Sequence, residues 1–235
     1  MSTVTPFSGP VPKTKARSGF SYRNWSRSTA SLVSGVALAL MVVLMPVGYY
    51  GGIVPLITPD DATKTAADIS RSSLIYLGGV AFVIIVILLD VVVAGAWYTL
   101  FKGVSRRLSA AAAWIRVLYS GLFAVAAGQL VSAYTLLHVP DQSLQALEAF
   151  STIWLISLGL FGLHIVLIGY LQFRSAFVPT VFGILLAVSG AGYFADALGV
   201  AFVDGFTPVY GLFGIIGETA GIFWLLIKGR KLPAS

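Results

Sequence analysis

The chain has 235 residues, of which 57% are hydrophobic and only 10% charged, and its mean hydropathy is +0.91. A soluble domain carries about a quarter charged residues, so a water-soluble fold is excluded and an all-α, polytopic integral membrane protein is expected. The net charge of +6 and pI near 9.7 do not indicate nucleic acid, because the basic residues sit in short flanks between apolar runs.

The absence of cysteine rules out disulfides, thiolate metal sites and a cysteine nucleophile. Residues 1–28 are rich in Ser, Thr, Pro and Lys and read as a disordered basic cytoplasmic tail. An apolar run follows from Leu32, the order of parts found in a signal peptide. The run continues past Leu44 to Ile57 without a small-residue cleavage pattern, so it is read as a retained span.

Residues 29–231 then form one domain of six spans, placed near Ser31–Ile57, Ser73–Phe101, Ala110–Leu137, Ala146–Phe173, Phe177–Leu198 and Thr207–Ile227. Pro46 predicts a kink in the first span, and Gly48 with Gly52 makes a small-residue pair suited to close packing. The connections are short and leave no room for a soluble domain.

Charge sets the orientation. One side of the membrane collects Lys13, Lys15, Arg17, Arg23, Arg27, Lys102, Arg106, Arg107, Arg174, Lys228, Arg230 and Lys231, with Arg116 just inside the third span. The other side has only Lys64 and Arg71, together with Asp60, Asp61, Asp68, Asp141, Glu148 and Asp204. By the positive-inside rule both termini are cytoplasmic.

Four ionisable residues fall within spans and away from their ends: Asp90, Arg116, His164 and Glu218. Each is costly in hydrocarbon unless paired or wetted, which makes each a site candidate. Counting from the nearest basic flank at 1.5 Å per residue, Asp90 lies about 18 Å deep, Arg116 about 14 Å, and His164 and Glu218 about 15 Å. Four helices thus place two carboxylates, a guanidinium and an imidazole in one layer. Tyr119 and Ser120 share a helix face with Arg116, and Ser157 shares one with His164. Gly211, Gly214 and Gly221 surround Glu218, so its face is expected to approach other helices closely. The expected pairs are Arg116 with Asp90 or Glu218, and His164 with the remaining carboxylate.

Asp196, about 28 Å from the cytoplasmic edge of the fifth span, is placed at the outer mouth with Tyr193 on its face. Tyr49, Tyr50, Trp97, Tyr98, Trp114 and Trp224 lie near span ends, where an interfacial aromatic belt is expected. No metal site is assigned, because the spacing of His164 and the acids is not diagnostic. No cofactor is assigned either. There is no Walker sequence, GxSxG, HExxH or dinucleotide fingerprint in a suitable context. No lysine falls inside a span, which argues against a retinal Schiff base.

The segments LLDVVVAGAWYTLFK (88–102), AAWIRVLYSGLFAVA (112–126), GLHIVLIGYLQFRSAFVP (162–179), GILLAVSGAGYFADALG (183–199) and GETAGIFWLLIKG (217–229) resemble a bacterial multi-pass membrane family, the domain of unknown function 4386 family. Asp90, Arg116, Tyr119, His164, Tyr193, Asp196 and Glu218 fall within the resembling segments. The resemblance implies a multi-pass protein of the bacterial plasma (inner) membrane and carries no activity with it.

The functional expectation is a binding, transport or sensing role. In it Asp90, Glu218 and His164 handle protons or a small polar ligand of unknown identity, and Arg116 supplies the counter-charge. A second reading is a membrane-embedded enzyme acting on a lipid or isoprenoid, with Asp90 or Glu218 as general acid. A third is a structural or accessory subunit in which the buried charges only fix helix register. The bilayer is the expected partner, and a homo-oligomer would offset the small number of spans and the lack of inverted repeats.

Overall fold

A computed structural model describes residues 25–233, and of residues 210–213, 215 and 216 it describes the backbone only. The expected tail therefore lies, up to residue 24, outside the described residues. Seven α-helices follow in order: α1 (Arg27–Met45), α2 (Ala62–Arg71), α3 (Ser73–Phe101), α4 (Arg106–Thr135), α5 (Pro140–Arg174), α6 (Thr180–Phe202) and α7 (Tyr210–Ile227). There is no strand among the described residues. Five helical stretches are long and apolar enough to cross a bilayer: Arg27–Leu56, α3, α4, α5 and α6. That marks the chain as a membrane protein. The expected sixth span is the 18-residue α7, which is not among those five.

Helix ends depart from the apolar boundaries for local reasons. The third helix of the expected set starts at Arg106 rather than Ala110, because Ser105 caps it by accepting the Leu108 N–H at 3.4 Å. The fourth starts at Pro140 rather than Ala146, with proline in the first turn and Asp141 beside the positive end of the dipole. The fifth starts at Thr180 rather than Phe177, since the residue before a proline disfavours the helical region. In the first span, Pro46 opens a π-helical segment, Pro46–Ile53, followed by a 3₁₀ turn, Val54–Leu56. Helix α2 was not expected: ATKTAADISR is mostly polar and reads as a connection. Asp61 caps it, accepting the Lys64 N–H at 2.8 Å, and Thr65, Ala66 and Ile69 bury one face.

The long helices form a ring. α1 packs on α3, α3 on α4, α4 on α5, α5 on α6, α6 on α7, and α7 returns to α1. The α5/α6 seam is antiparallel and built on glycine, with Gly162 against the Gly190 carbonyl and Gly169 against the Gly183 carbonyl. Both pairs recur at an interval of seven residues, which keeps one stripe of each helix facing the other. A Cβ at Gly162 would stand 2.5 Å from the Gly190 oxygen, so the two backbones approach only because neither residue has a side chain. Gly48 and Gly52 do the same for the π-helical segment of the first span on α3, lying against the backbone of Gly79.

The ring closes where Ser31 donates to the Leu225 carbonyl at 3.0 Å and Gly35 meets Leu225 and Leu226. Two apolar clusters fill the bundle. One surrounds Tyr49, Phe123, Phe150 and Trp154, and the other surrounds Trp97, Leu100, Phe101 and Ile165. The charged layer lies between them.

Candidate functional site

Three of the four expected ionisable residues meet directly. Arg116 is fully buried on α4 and sends one guanidinium nitrogen, Nη2, to Asp90 Oδ1 on α3 at 2.5 Å. Its other terminal nitrogen, Nη1, reaches His164 Nε2 on α5 at 3.1 Å. His164 Nδ1 lies 2.8 Å from the Ala112 carbonyl, one turn before Arg116 on α4.

These partners fix the imidazole. A carbonyl only accepts, so Nδ1 carries the hydrogen; a guanidinium only donates, so Nε2 accepts. His164 is therefore the neutral Nδ1–H tautomer, held between α4's backbone and α4's arginine. The fork geometry of Arg116 lets it serve two helices at once, which a lysine point charge does not do.

Aromatic rings enclose this group. Trp97 stacks on the His164 ring at 5.5 Å between centroids with 13° between planes. The Arg116 guanidinium carbon lies 5.5 Å from the Trp97 ring and 5.4 Å from the Phe161 ring. Desolvation strengthens such cation–π contacts. The expected belt role of Trp97 is thereby corrected: it is buried on Asp90's face, seven residues on. Tyr49 is also buried, packed edge-on or tilted among Tyr50, Phe150 and Trp154 rather than anchoring at an interface. Trp114 and Tyr50 remain largely exposed.

Glu218 stands apart from His164, against the expected pairing. Its Oε1 accepts the Tyr193 hydroxyl at 2.9 Å. Arg116 takes the place at His164 that the second carboxylate was expected to fill. Tyr193 therefore belongs to the buried layer and not to an outer mouth. Tyr119 lies in the same layer, in contact with Phe123 and Phe161. The neighbouring serines serve their own helices: Ser120 donates to the Arg116 carbonyl and Ser157 to the Trp154 carbonyl.

Asp196 is buried, and its Oδ2 accepts the Val209 N–H at 2.8 Å, immediately before α7. It caps α7 from the neighbouring helix. Asp196→Ala is expected to speed hydrogen exchange over the first turn of α7 roughly 5- to 30-fold, the equivalent of about 1–2 kcal/mol for a lost cap. Exchange mass spectrometry would check this, with the α5/α6 seam unchanged as the internal control.

The layer borders a cavity of about 320 Å³. Asp90, Arg116, Tyr119, Tyr193 and Glu218 line it, and so do Trp154 toward one end and Gln172 toward the other. Those last two are 18 residues apart on α5, so the cavity runs about 27 Å along the helix. Its rim includes Val42 and Tyr50 of the first span, 51% and 48% exposed, and the exposed Thr219 of α7. The cavity therefore opens sideways, between the first span and α7.

Gly221, expected to pack against another helix, faces this space instead, and a Cβ there would meet nothing within 4 Å. Gly214 and Gly217 make the close approach to α6, against Tyr193 and against Leu185 with Ser189. The surroundings of Gly211 lie outside the described residues. Two buried polar atoms of the layer, Asp90 Oδ2 and Arg116 Nε, have no partner, and neither does Gln172 Oε1. Among the described residues no group of three or more His, Cys, Asp or Glu converges to hold a metal ion.

Trp97, Phe161 and Gln172 were not among the expected site residues. Helical spacing carried a signal for each, since Trp97 is seven residues past Asp90, Phe161 three before His164 and Gln172 eight after it. Apolar or weakly polar side chains in an apolar run give no separate cue.

The family model described as Domain of unknown function (DUF4386) matches residues 33–229. An uncharacterized protein of Archaeoglobus fulgidus is 33% identical over 150 residues, covering 64% of this chain and 83% of the relative. No solved structure matches.

Proposed function

The chain belongs to the family of the domain of unknown function (DUF4386), and from that premise we propose a binding role at the buried layer. The protein is a six-span protein of the bacterial inner membrane with both termini cytoplasmic, and it takes up a small amphipathic molecule from the bilayer. The polar end of the ligand rests on Asp90, Arg116 and Glu218, and its apolar part lies along the cavity. Transport and sensing are the two uses such binding serves.

One observation carries this reading. Asp90 is among the residues lining the cavity, and its Oδ2, on a side chain 1% exposed, is buried without a partner. A layer that only fixed helix register would satisfy its acceptors within the protein, because an orphaned buried group costs about 1–3 kcal/mol. The sideways opening favours a ligand that arrives through lipid over one that arrives through water. It also suits a lipid-directed reaction with Asp90 or Glu218 as proton donor, for which turnover of candidate lipids is the test.

Native mass spectrometry of protein released from lipid nanodiscs tests the binding role. The wild type is expected to retain a non-covalent adduct of a few hundred daltons. Gly221→Leu, which fills open space in the cavity wall, is expected to lose the adduct with little change in melting temperature. A wild type as bare as Gly221→Leu would remove the proposal.

A further inference from the structure

We propose that the cavity selects a cationic amphiphile, a molecule with an ammonium-type head and an apolar chain, and that Glu218 is the residue that selects it. This deepens the binding role proposed above and rests on it.

Charge balance in a desolvated space is what points to a cation. Asp90 and Glu218 both border the cavity, and Arg116 is the one basic side chain among the described residues that lines it. His164 contributes no charge, because its two hydrogen bonds require the neutral tautomer. Arg116 is committed to Asp90, so with both carboxylates ionised the site carries one uncompensated negative charge. In low dielectric such a charge is strongly unfavourable and demands a cation or a proton.

Three further features fit a cation on a chain. Asp90, at the cavity wall, has in its buried Oδ2 an acceptor that nothing in the protein uses. Tyr119, Trp154 and Tyr50 line the same space, and aromatic rings attract ammonium groups without needing a hydrogen bond. Leu38, Met41, Leu158 and Ile165 give the rest of the wall an apolar lining in which a chain is at home. An anionic head would meet two carboxylates and find Arg116 already forked between Asp90 and His164.

Aromatic side chains in the cavity provide a readout. Three probes with the same ten-carbon chain and a terminal bromine, bearing an ammonium, a hydroxyl or a carboxylate head, are titrated into protein held in zwitterionic nanodiscs. Bromine quenches indole fluorescence at contact range, and Trp97 and Trp154 both line the cavity. Each value is corrected for probe partitioning into empty nanodiscs, and the Gly221→Leu variant supplies the quenching that does not come from the cavity.

The ammonium probe is expected to bind at least tenfold more tightly than the alcohol, and the carboxylate more weakly than either. Glu218→Gln is expected to bring the ammonium down to the level of the alcohol. Its amide oxygen still accepts from Tyr193, so the fold is expected to persist, and a melting curve checks that. If alcohol and ammonium bind the wild type equally while Gly221→Leu blocks both, the binding role stands and the charge selection is overturned. If all three probes quench wild type and Gly221→Leu alike, the binding role itself falls. The wild-type comparison needs no variant, so misfolding of Glu218→Gln leaves it decisive.

Discussion

Replacing Arg116 by alanine is expected to destabilise the protein by about 3–5 kcal/mol, enough to lower its melting temperature in detergent by several degrees or more. The side chain is fully buried and holds three helices: its own α4, α3 through Asp90 and α5 through His164. Its removal leaves a buried carboxylate without a counter-charge and His164 Nε2 without a donor. It also opens a void between the Trp97 and Phe161 rings.

Arg116→Lys is expected to recover only part of the loss. A single ammonium keeps the charge but does not reproduce the fork that reaches Asp90 and His164 together. The double replacement Arg116→Met with Asp90→Leu separates structure from function. Removing both charges and restoring apolar volume is expected to return most of the lost stability, because the desolvation cost disappears with the pair while His164 Nε2 stays without a donor. The same protein is expected to bind the amphiphile more weakly than wild type, since Glu218 alone remains to hold its polar end. A stable double variant that retains the adduct at the wild-type level would show that the pair serves register alone.

Gly162→Leu is expected to have the second large effect, a loss of most folded protein. The atoms facing Gly162 are the Gly190 carbonyl oxygen and the Phe194 nitrogen, 2.5 and 2.7 Å from a Cβ position. Both are backbone, so the clash cannot be relieved by turning a side chain, and the two helices must separate along the seam. Overpacking of even a well-ordered core costs about 1–3 kcal/mol, and displacement of a whole helix pair exceeds that. Size-exclusion chromatography of the solubilised protein reads the outcome as a fall in the monodisperse fraction.

Gly121→Ala and Gly128→Ala supply the contrast. Both positions are helical with nothing within 4 Å, so alanine is expected to be neutral or to stabilise by up to about 1 kcal/mol. If Gly162→Leu runs like these two, the seam is looser than its geometry indicates.

Helical class and the presence of several long apolar helices were legible in composition and hydropathy, since a span must be apolar over a known length whatever its neighbours are. Ser73–Phe101 was readable to the residue for that reason. The coincidence of Asp90, Arg116 and His164 at one depth was readable as well, because rise per residue is constant along any helix. Helix α2 was not, since its stability comes from three buried residues and an Asp61 cap rather than from its own periodicity. Trp97 was assigned to a membrane interface because it lies near a span end. Which way it points depends on the rotation of α3 against its neighbours.

The amino-acid sequence by itself thus determined that this is a helical membrane protein with ionisable groups buried at a common level. Those are one-dimensional properties of hydrophobic length and axial rise. Only the tertiary structure decided that Arg116 is shared between Asp90 and His164, that Glu218 turns to Tyr193, and that Asp196 serves as a helix cap. Only it placed a cavity beside the layer, open between the first span and α7. Partner choice depends on helix rotation and on close approach at glycine seams, and those follow from how six surfaces fit together. No single segment of the chain encodes that fit.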